Sequence, residues 1–302
     1  MLAGLGVLVA VAALAGGVPA DASAAGEPGA TALASASLSP RQKAALLVVS
    51  GLPAPRRVGG VIVFSGDRSD PRPRDALVYA DQEGGVVKRY PHLPPFGPAV
   101  GFRSRTAAFE SGRDTGRALR RVGVHVDLAP VLDTRDGPLG SRHYRRSAFG
   151  VAFARGLGAG RSTGLTTDSG LPVTGRVRAK DLAPFGQAIK AGIPCVMVGH
   201  AIYPSLGRRP ASLEPATYRR LRRLGFDGVA LTDSLTPLGP GTARWARQAI
   251  RAGADLVLVQ EAGRVRAVIR ALVRMARTGA LDSRVERVIA WRRSLGLRPV
   301  PR

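Results

Sequence analysis

Short apolar runs alternate along this chain with longer segments in which apolar and polar residues recur at helical spacing. Two clear segments of the second kind are residues 106–122 and 245–252. Strands and helices that alternate along one chain predict a parallel α/β fold, because each helix returns the chain to the start of the next strand. The apolar runs of strand length are residues 45–49, 60–64, 76–80, 124–128, 194–198, 228–231 and 254–259.

A TIM-type (β/α)8 barrel fits this alternation better than a doubly wound sheet, since no dinucleotide-binding glycine fingerprint follows the first run. An eight-stranded barrel needs one more strand than the pattern supplies. Residues 133–194 span about twice the usual βα repeat. Their middle, residues 156–175, is mostly Gly, Ser, Thr and Arg and has no four consecutive strand-forming apolar residues. We therefore expect a barrel that is incomplete or distorted around the fifth strand.

The first part of the chain differs from the rest. Residues 2–14 are almost wholly apolar and are followed by small residues around position 24, which predicts a signal peptide over residues 1–24 that is too short to span a bilayer. Residues 25–37 are expected to form a flexible leader, and Ser39 and Pro40 to open the first helix of a barrel domain over residues 38–302. The protein is thus expected to be secreted or extracytoplasmic and associated with the cell envelope.

The composition of the chain limits the kinds of molecule that it is expected to bind. The chain of 302 residues is 45% hydrophobic, enough for one large core, and carries a net charge of +24 with arginines spread from position 41 to 302. Because nucleic-acid binders interleave clustered basic residues with aromatics, we predict no nucleic-acid partner. A diffuse positive surface favours an anionic cell envelope, although coding bias toward arginine explains the spread equally well. The four histidines have no metal-ligand spacing, and we predict neither a metal nor another cofactor.

Two segments suggest chemistry by themselves. The run over residues 228–231 leads directly into Asp233, and a carboxylate at the end of a barrel strand lies where such enzymes place catalytic groups. Asp after a strand also commonly caps the next helix, so both interpretations stay open. Residues 156–163, Gly-Leu-Gly-Ala-Gly-Arg-Ser-Thr, are superficially similar to a phosphate-binding loop. They do not follow a strand, and a flexible connection is the preferred interpretation.

The segment at residues 80–85, Ala-Asp-Gln-Glu-Gly-Gly, with Arg89 after it, resembles glycoside hydrolase family 3, in its branch of bacterial β-N-acetylhexosaminidases. Several motifs in the family's order are more specific than any one of them. The resemblance implies an exported retaining glycoside hydrolase that cleaves terminal β-N-acetylhexosamine from an amino-sugar glycan derived from peptidoglycan. The other matching segments are residues 59–64, 127–133, 139–144, 178–185, 200–204 and 225–233.

The resemblance also implies roles for single residues. Asp233 matches the catalytic nucleophile, which forms a covalent glycosyl-enzyme intermediate. Asp81 matches an acceptor of hydrogen bonds from sugar hydroxyls, and Arg89, Arg142 and His200 are expected to bind substrate. The alternatives are a loop cap for Asp81, a surface salt bridge for Arg142 and, for His200, satisfaction of polar groups at the end of its strand.

Parts of the family pattern are missing. The Lys-His-Phe-Pro-Gly-His-Gly run of the family's fifth strand is absent, and Ser234 replaces a second acid found beside the nucleophile in many relatives. Residues 168–170 read Asp-Ser-Gly where the branch has Asp-Ser-His, which leaves Asp168 as the candidate general acid without an imidazole. Two hypotheses follow: a glycosidase with an altered acid catalyst, or a degenerate, non-catalytic barrel that binds cell-envelope glycans.

Overall fold

The computed structural model describes residues 28–65, 72–132, 140–159 and 179–301. The strands are, in chain order, β1 (Val48–Ser50), β2 (Gly60–Val63), β3 (Leu77–Ala80), β4 (Gln82–Gly84), β5 (Val87–Lys88), β6 (Val126–Asp127), β7 (Cys195–Val198), β8 (Val229–Ser234) and β9 (Leu256–Val259). The α-helices are α1 (Pro28–Ala36), α2 (Pro40–Leu46), α3 (Arg105–Arg121), α4 (Ser147–Ala159), α5 (Ala179–Lys190), α6 (Pro215–Arg223), α7 (Thr242–Ala252), α8 (Ala262–Ala276) and α9 (Asp282–Ser294).

Seven of these strands form one curled parallel sheet, in the order β6-β3-β2-β1-β9-β8-β7. The central strand β1 pairs with both β2 and β9, so the first and the last strand of the chain are neighbours, as in a closed (β/α)8 barrel. Within the described residues the sheet is open between β6 and β7. The predicted fold class is confirmed. Residues 133–139 and 160–178, where the irregular fifth strand was expected, lie outside the described residues.

The apolar runs correspond to the strands of this sheet, and most of their residues are buried. One boundary was predicted wrongly: Ala45 and Leu46 belong to α2 rather than to β1. The cause is a capping box at the helix start, in which Ser39 Oγ accepts the N–H of Gln42 and Gln42 Oε1 accepts the N–H of Ser39. The capped helix extends into the apolar run and buries that part of it. The prediction that Ser39 and Pro40 open this helix is confirmed.

The flexible leader predicted for residues 25–37 is wrong where the structure describes it, because residues 28–36 form α1. This helix packs against α9, where Arg293 Nη1 donates to Thr31 Oγ1 at 3.1 Å. Thr31 and Ser35 are buried in that contact. The predicted signal peptide over residues 1–24 lies outside the described residues. No α-helix in the described ranges combines the length and apolar character needed to cross a membrane.

Helices α3 and α4 meet at backbone distance through two glycines. A Cβ on Gly112 would stand 2.2 Å from the carbonyl oxygen of Phe153, and one on Gly156 would stand 2.1 Å from the carbonyl oxygen of Phe109. The two glycines therefore face each other's helix, and only a missing side chain permits the contact. Residues 156–159 are helical, so neither the phosphate-loop nor the flexible-connection interpretation holds for them.

The substitution Gly156→Ala should destabilise the protein by about 1–3 kcal/mol, because the added methyl group meets backbone atoms that cannot rotate away. Denaturant unfolding measures this change. Gly263→Ala in α8 is the matched control, since it places a methyl group on an exposed helix position with no other atom within 4 Å. We expect the control to be neutral or more stable by up to about 1 kcal/mol. Equal stabilities of the two variants would contradict the close contact.

His125 precedes β6 and binds the neighbouring strand β3. Its Nδ1 accepts the N–H of Val78 at 3.1 Å, which requires an unprotonated nitrogen. Burial lowers the pKa of His125 to about 4, and the positive charges of Arg120, Arg292 and Arg72 add to the effect. The native ring is therefore neutral at pH 7, whereas the same ring in the unfolded chain titrates near pH 6.5.

The free energy of unfolding should accordingly fall as the pH is lowered from about 6.5 to about 4, because the unfolded chain binds a proton that the native state excludes. His125→Gln keeps an acceptor for Val78 but does not titrate. Between pH 7 and pH 4 it should lose up to about 3 kcal/mol less stability than the wild type. Denaturant unfolding at both pH values tests this, with the exposed His92→Gln as control. Identical pH dependence of the wild type and His125→Gln would refute the assignment.

Candidate active site

Three of the residues predicted to form a site lie where strands of the parallel sheet end. Asp81 directly follows β3, His200 follows β7 by two residues, and Asp233 is the penultimate residue of β8. Because the strands are parallel, their carboxyl ends lie at one edge of the sheet, which we call the rim. The rim is the edge at which βα-barrel enzymes carry their catalytic groups.

Asp233 lies inside β8 and its side chain is partly exposed. Its Oδ1 accepts the N–H of Ser234 at 2.6 Å, which restrains the carboxylate. The alternative that Asp233 caps the next helix is wrong. The short 3-10 helix that follows has Leu235 as its N-cap, α7 has Gly241, and neither helix has a side-chain cap.

His200 is completely buried and contacts Ser234, the residue after Asp233. Its Nε2 lies 2.7 Å from the carbonyl oxygen of Ser234, so this nitrogen donates, and its Nδ1 lies 2.7 Å from Ser212 Oγ. The ring thus joins the end of β7 to the end of β8. Two roles were predicted for His200. Hydrogen bonding to polar groups at the strand end accounts for both ring nitrogens. Contact with substrate would require exposed ring atoms, and His200 has no exposed surface.

Asp81 faces a cation supplied by its own hairpin. Asp81 Oδ2 accepts Arg89 Nη2 at 2.9 Å, and the Arg89 guanidinium lies 5.2 Å from the centre of the Phe64 ring. Asp81 is therefore one member of an ion pair rather than a loop cap alone. Phe64 follows β2, so this pair lies at the rim beside β3.

Gln82 holds the hairpin of β4 and β5 in place from inside. Its Oε1 accepts the backbone N–H groups of Arg89 and Tyr90, at 3.0 and 2.9 Å. Its Nε2 donates to the carbonyl oxygens of Tyr90 and Pro94, both at 3.0 Å. The buried Gln82 amide therefore uses both its donor and its acceptor groups to hold the segment that carries Arg89. As a result, the Arg89 guanidinium is held beside Asp81.

Arg142 binds Glu83 through two parallel hydrogen bonds. Arg142 Nε donates to Oε2 at 2.8 Å and Nη2 donates to Oε1 at 2.7 Å. Glu83 is buried, and burial raises the pKa of its carboxyl while the hydrogen bond and charge of Arg142 oppose that rise. The alternative of a surface salt bridge therefore does not describe Arg142, because its partner lies inside the protein. A two-pronged pair with a buried acid fixes the guanidinium plane.

Asp127 is the third acid of this neighbourhood and ends β6. It is fully buried, its Oδ1 accepts the N–H of Gln82 at 2.9 Å, and its Oδ2 has no hydrogen-bond partner within the described structure. Burial raises the pKa of Asp127 well above its ordinary value, and the negative charges of Asp81 and Glu83 act in the same direction. Burial and the two neighbouring acids thus oppose ionisation of Asp127.

Sequence reasoning assigned no role to Gln82, Glu83 or Asp127, although all three lie in the segments that carry the family resemblance. The available signal was a polar residue in or beside a buried apolar run. Their partners were not evident, since Arg142 is 59 positions from Glu83. Asp168, the candidate general acid, lies outside the described residues. No group of three His, Cys, Asp or Glu side chains in the described ranges is arranged to hold a metal.

Comparison with known proteins identifies the family. Residues 153–291 match the profile of the "Glycosyl hydrolase family 3 N terminal domain". The chain is 29% identical to beta-hexosaminidase LpqI of Mycobacterium tuberculosis, in an alignment that covers 83% of this chain and 81% of that protein. It is 31% identical to a beta-hexosaminidase of Bordetella parapertussis, in an alignment that covers 67% of this chain and 72% of that protein.

Solved structures show the same fold. A family 3 beta-N-acetylglucosaminidase from Paenibacillus sp. str. FPU-7 superimposes with a TM-score of 0.72 at 28% identity, over 86% of this chain and 64% of that one. The structure of M. tuberculosis LpqI gives a TM-score of 0.74 at 26% identity, over 85% of this chain and 95% of that one. The chain therefore belongs to glycosyl hydrolase family 3 and is a glycosidase, an enzyme that hydrolyses O-glycosyl bonds.

Proposed function

We propose that this glycosidase is an exported, retaining β-N-acetylhexosaminidase whose nucleophile is Asp233. The observation that carries the proposal is the position of Asp233, a partly exposed carboxylate held within β8 at the rim. The names of the relatives, beta-hexosaminidase and beta-N-acetylglucosaminidase, support an amino sugar as the substrate.

In this mechanism an oxygen of Asp233 attacks the anomeric carbon and forms a covalent glycosyl ester, which water then hydrolyses. The hydrogen bond from the Ser234 N–H holds the carboxylate in one orientation. His200 acts as a positioning residue, because it binds the carbonyl oxygen of Ser234 from the buried side. A nucleophile held in a fixed orientation needs less reorganisation to reach the transition state.

The acids and arginines beside β3 are suited to binding sugar hydroxyls. A carboxylate such as that of Asp81 only accepts hydrogen bonds, and guanidinium groups such as those of Arg89 and Arg142 only donate them. Glu83 and Gln82 lie behind this layer and hold it in position. We assign Asp81, Arg89 and Arg142 to the substrate site on this basis.

We assign the proton-donating role to Asp168 because residues 168–170 stand where the related branch has Asp-Ser-His. Loss of the imidazole removes a group whose ordinary pKa is close to neutrality. General acid catalysis contributes about 10²–10⁴-fold to such reactions, so a slower hydrolase is the expected outcome rather than an inactive one. The apolar residues 1–24 support export, and an exported amino-sugar hydrolase of this family fits glycans derived from peptidoglycan.

Asp233→Asn should reduce hydrolysis of an aryl β-N-acetylglucosaminide to the background rate, because an amide cannot form the glycosyl ester. The amide oxygen still accepts the Ser234 N–H, so the fold should be retained. Asp227→Asn is the matched control, an exposed carboxylate six positions earlier that should keep wild-type activity. If the wild type and Asp233→Asn hydrolyse the substrate equally slowly, the proposal fails in favour of a non-catalytic, glycan-binding barrel.

Arg142→Lys should raise KM about tenfold or more with a smaller change in kcat, because an ammonium group cannot make two parallel bonds to Glu83 while facing substrate. Steady-state kinetics on the same aryl substrate separate the two constants. Arg145→Lys is the control, since the exposed Arg145 donates only to the carbonyl oxygen of Val100. A loss confined to thermal stability, with KM unchanged, would assign Arg142 a purely structural role.

A further inference from the structure

The basic residues of this protein are unevenly distributed among its helices. Helices α6, α7 and α8 contain four, three and four arginines, respectively, and no Asp, Glu or Lys. By contrast, α3 carries Glu110 and Asp114 among its arginines, and α9 carries Asp282 and Glu286. The sequence analysis expected positive charge to be spread evenly over the surface. The structure differs, because three consecutive helices carry positively charged side chains and no negatively charged ones.

Most of these arginines point to solvent. Arg222 and Arg264 are engaged with Asp255 and Glu261, respectively. The exposed arginines make no ion pair within the described structure. In α8, three of them recur every four residues and thus follow one helix face at a rise of about 6 Å each. The exposed set is Arg219, Arg220, Arg223, Arg244, Arg251, Arg266, Arg270, Arg274 and the α8 C-cap Arg277.

The three helices form one continuous surface, since α6 packs against α7 and α7 packs against α8. We call it the basic face, defined by the nine exposed arginines. Barrel helices line the outer wall of the sheet, whereas the rim with Asp81 and Asp233 lies at one end of the strands. A partner bound to the basic face therefore leaves the rim accessible.

We propose that the basic face docks this protein on the surface of an anionic lipid bilayer. Protein interfaces have an apolar, aromatic-rich core, and single-stranded nucleic acid is held by stacking aromatics. Large apolar side chains that are exposed in the described structure (Leu33, Phe64, Val86 and Phe96) all lie outside these helices. The basic face thus spreads positive charge over three helices that have no exposed large apolar side chain. Such a face is complementary to a lipid surface, whose negative charge is also spread over a wide area. The inference does not depend on the proposed hydrolase activity.

Co-sedimentation of the full chain with vesicles tests this proposal, using equal parts of phosphatidylglycerol and phosphatidylcholine against phosphatidylcholine alone. The triple variant R266Q/R270Q/R274Q should bind the anionic vesicles about a hundredfold more weakly than the wild type, or about fivefold per arginine, and wild-type binding should weaken with salt. The control R105Q/R117Q/R121Q removes the same charge from exposed positions of α3 and should retain most of the binding. All proteins share residues 1–24, so any contribution of that apolar segment is common to them.

Three outcomes would overturn the proposal. Equal losses in the two triple variants would mean that net charge alone governs binding. Equal binding to anionic and neutral vesicles would mean that the basic face is not used. Binding of soluble polyphosphate or duplex DNA without binding of anionic vesicles, at the same salt concentration, would assign the face to a soluble polyanion. Unfolding midpoints close to the wild-type value are expected for both variants, because every substituted side chain is exposed.

Discussion

The pairing of β1 with β9 is the contact on which the site depends. It joins the first strand of the sheet to the last one in the chain, with Val48, Val49 and Ser50 beside Val257, Leu258 and Val259. Directly beyond it the backbones still touch, since a Cβ on Gly51 would stand 1.9 Å from the carbonyl oxygen of Gln260. This pairing brings the half of the sheet that carries Asp81 next to the half that carries Asp233. Without it, the two carboxylates would belong to separate sheets.

The rim beside β3 contains three acidic side chains, and its arrangement depends on how their charges are compensated. Asp81, Glu83 and Asp127 would repel one another if all three were charged, and two arginines reach only the first two. The third acid receives a single backbone N–H, and its pKa is raised by burial and by its two acidic neighbours. The arrangement therefore combines two acid–arginine pairs with a buried acid whose pKa is raised. A rim built this way presents donors and acceptors in fixed positions to a polyhydroxylated ligand.

The features that were predicted correctly from the sequence are those that depend on residues close together in the chain. The strand runs and the helix start at Ser39 follow from apolar runs and capping chemistry, and the structure has both. Features that depend on distant partners were missed. Helix α1 exists because α9 covers it, and the buried role of Glu83 exists because Arg142 reaches it. The apolar run before Asp233 suggested either a catalytic or a capping role, and the family resemblance favoured the catalytic one. Asp81 was selected by the resemblance alone.

Within the described residues, the two carboxylates of the proposed chemistry are carried by interior strands of the sheet. Strand β3 pairs with β2 and β6, and β8 pairs with β7 and β9, so the strands that position Asp81 and Asp233 have neighbours on both sides. Among the residues that the structure describes, the edge strands are β6 and β7, and His200 ties β7 to β8 through the Ser234 carbonyl. The sequence lacks the sugar-binding Lys-His run of the family's fifth strand, whereas the described contacts that support Asp233 do not involve that segment. A change confined to that sector should lower the rate or alter the substrate, without dismantling the rim.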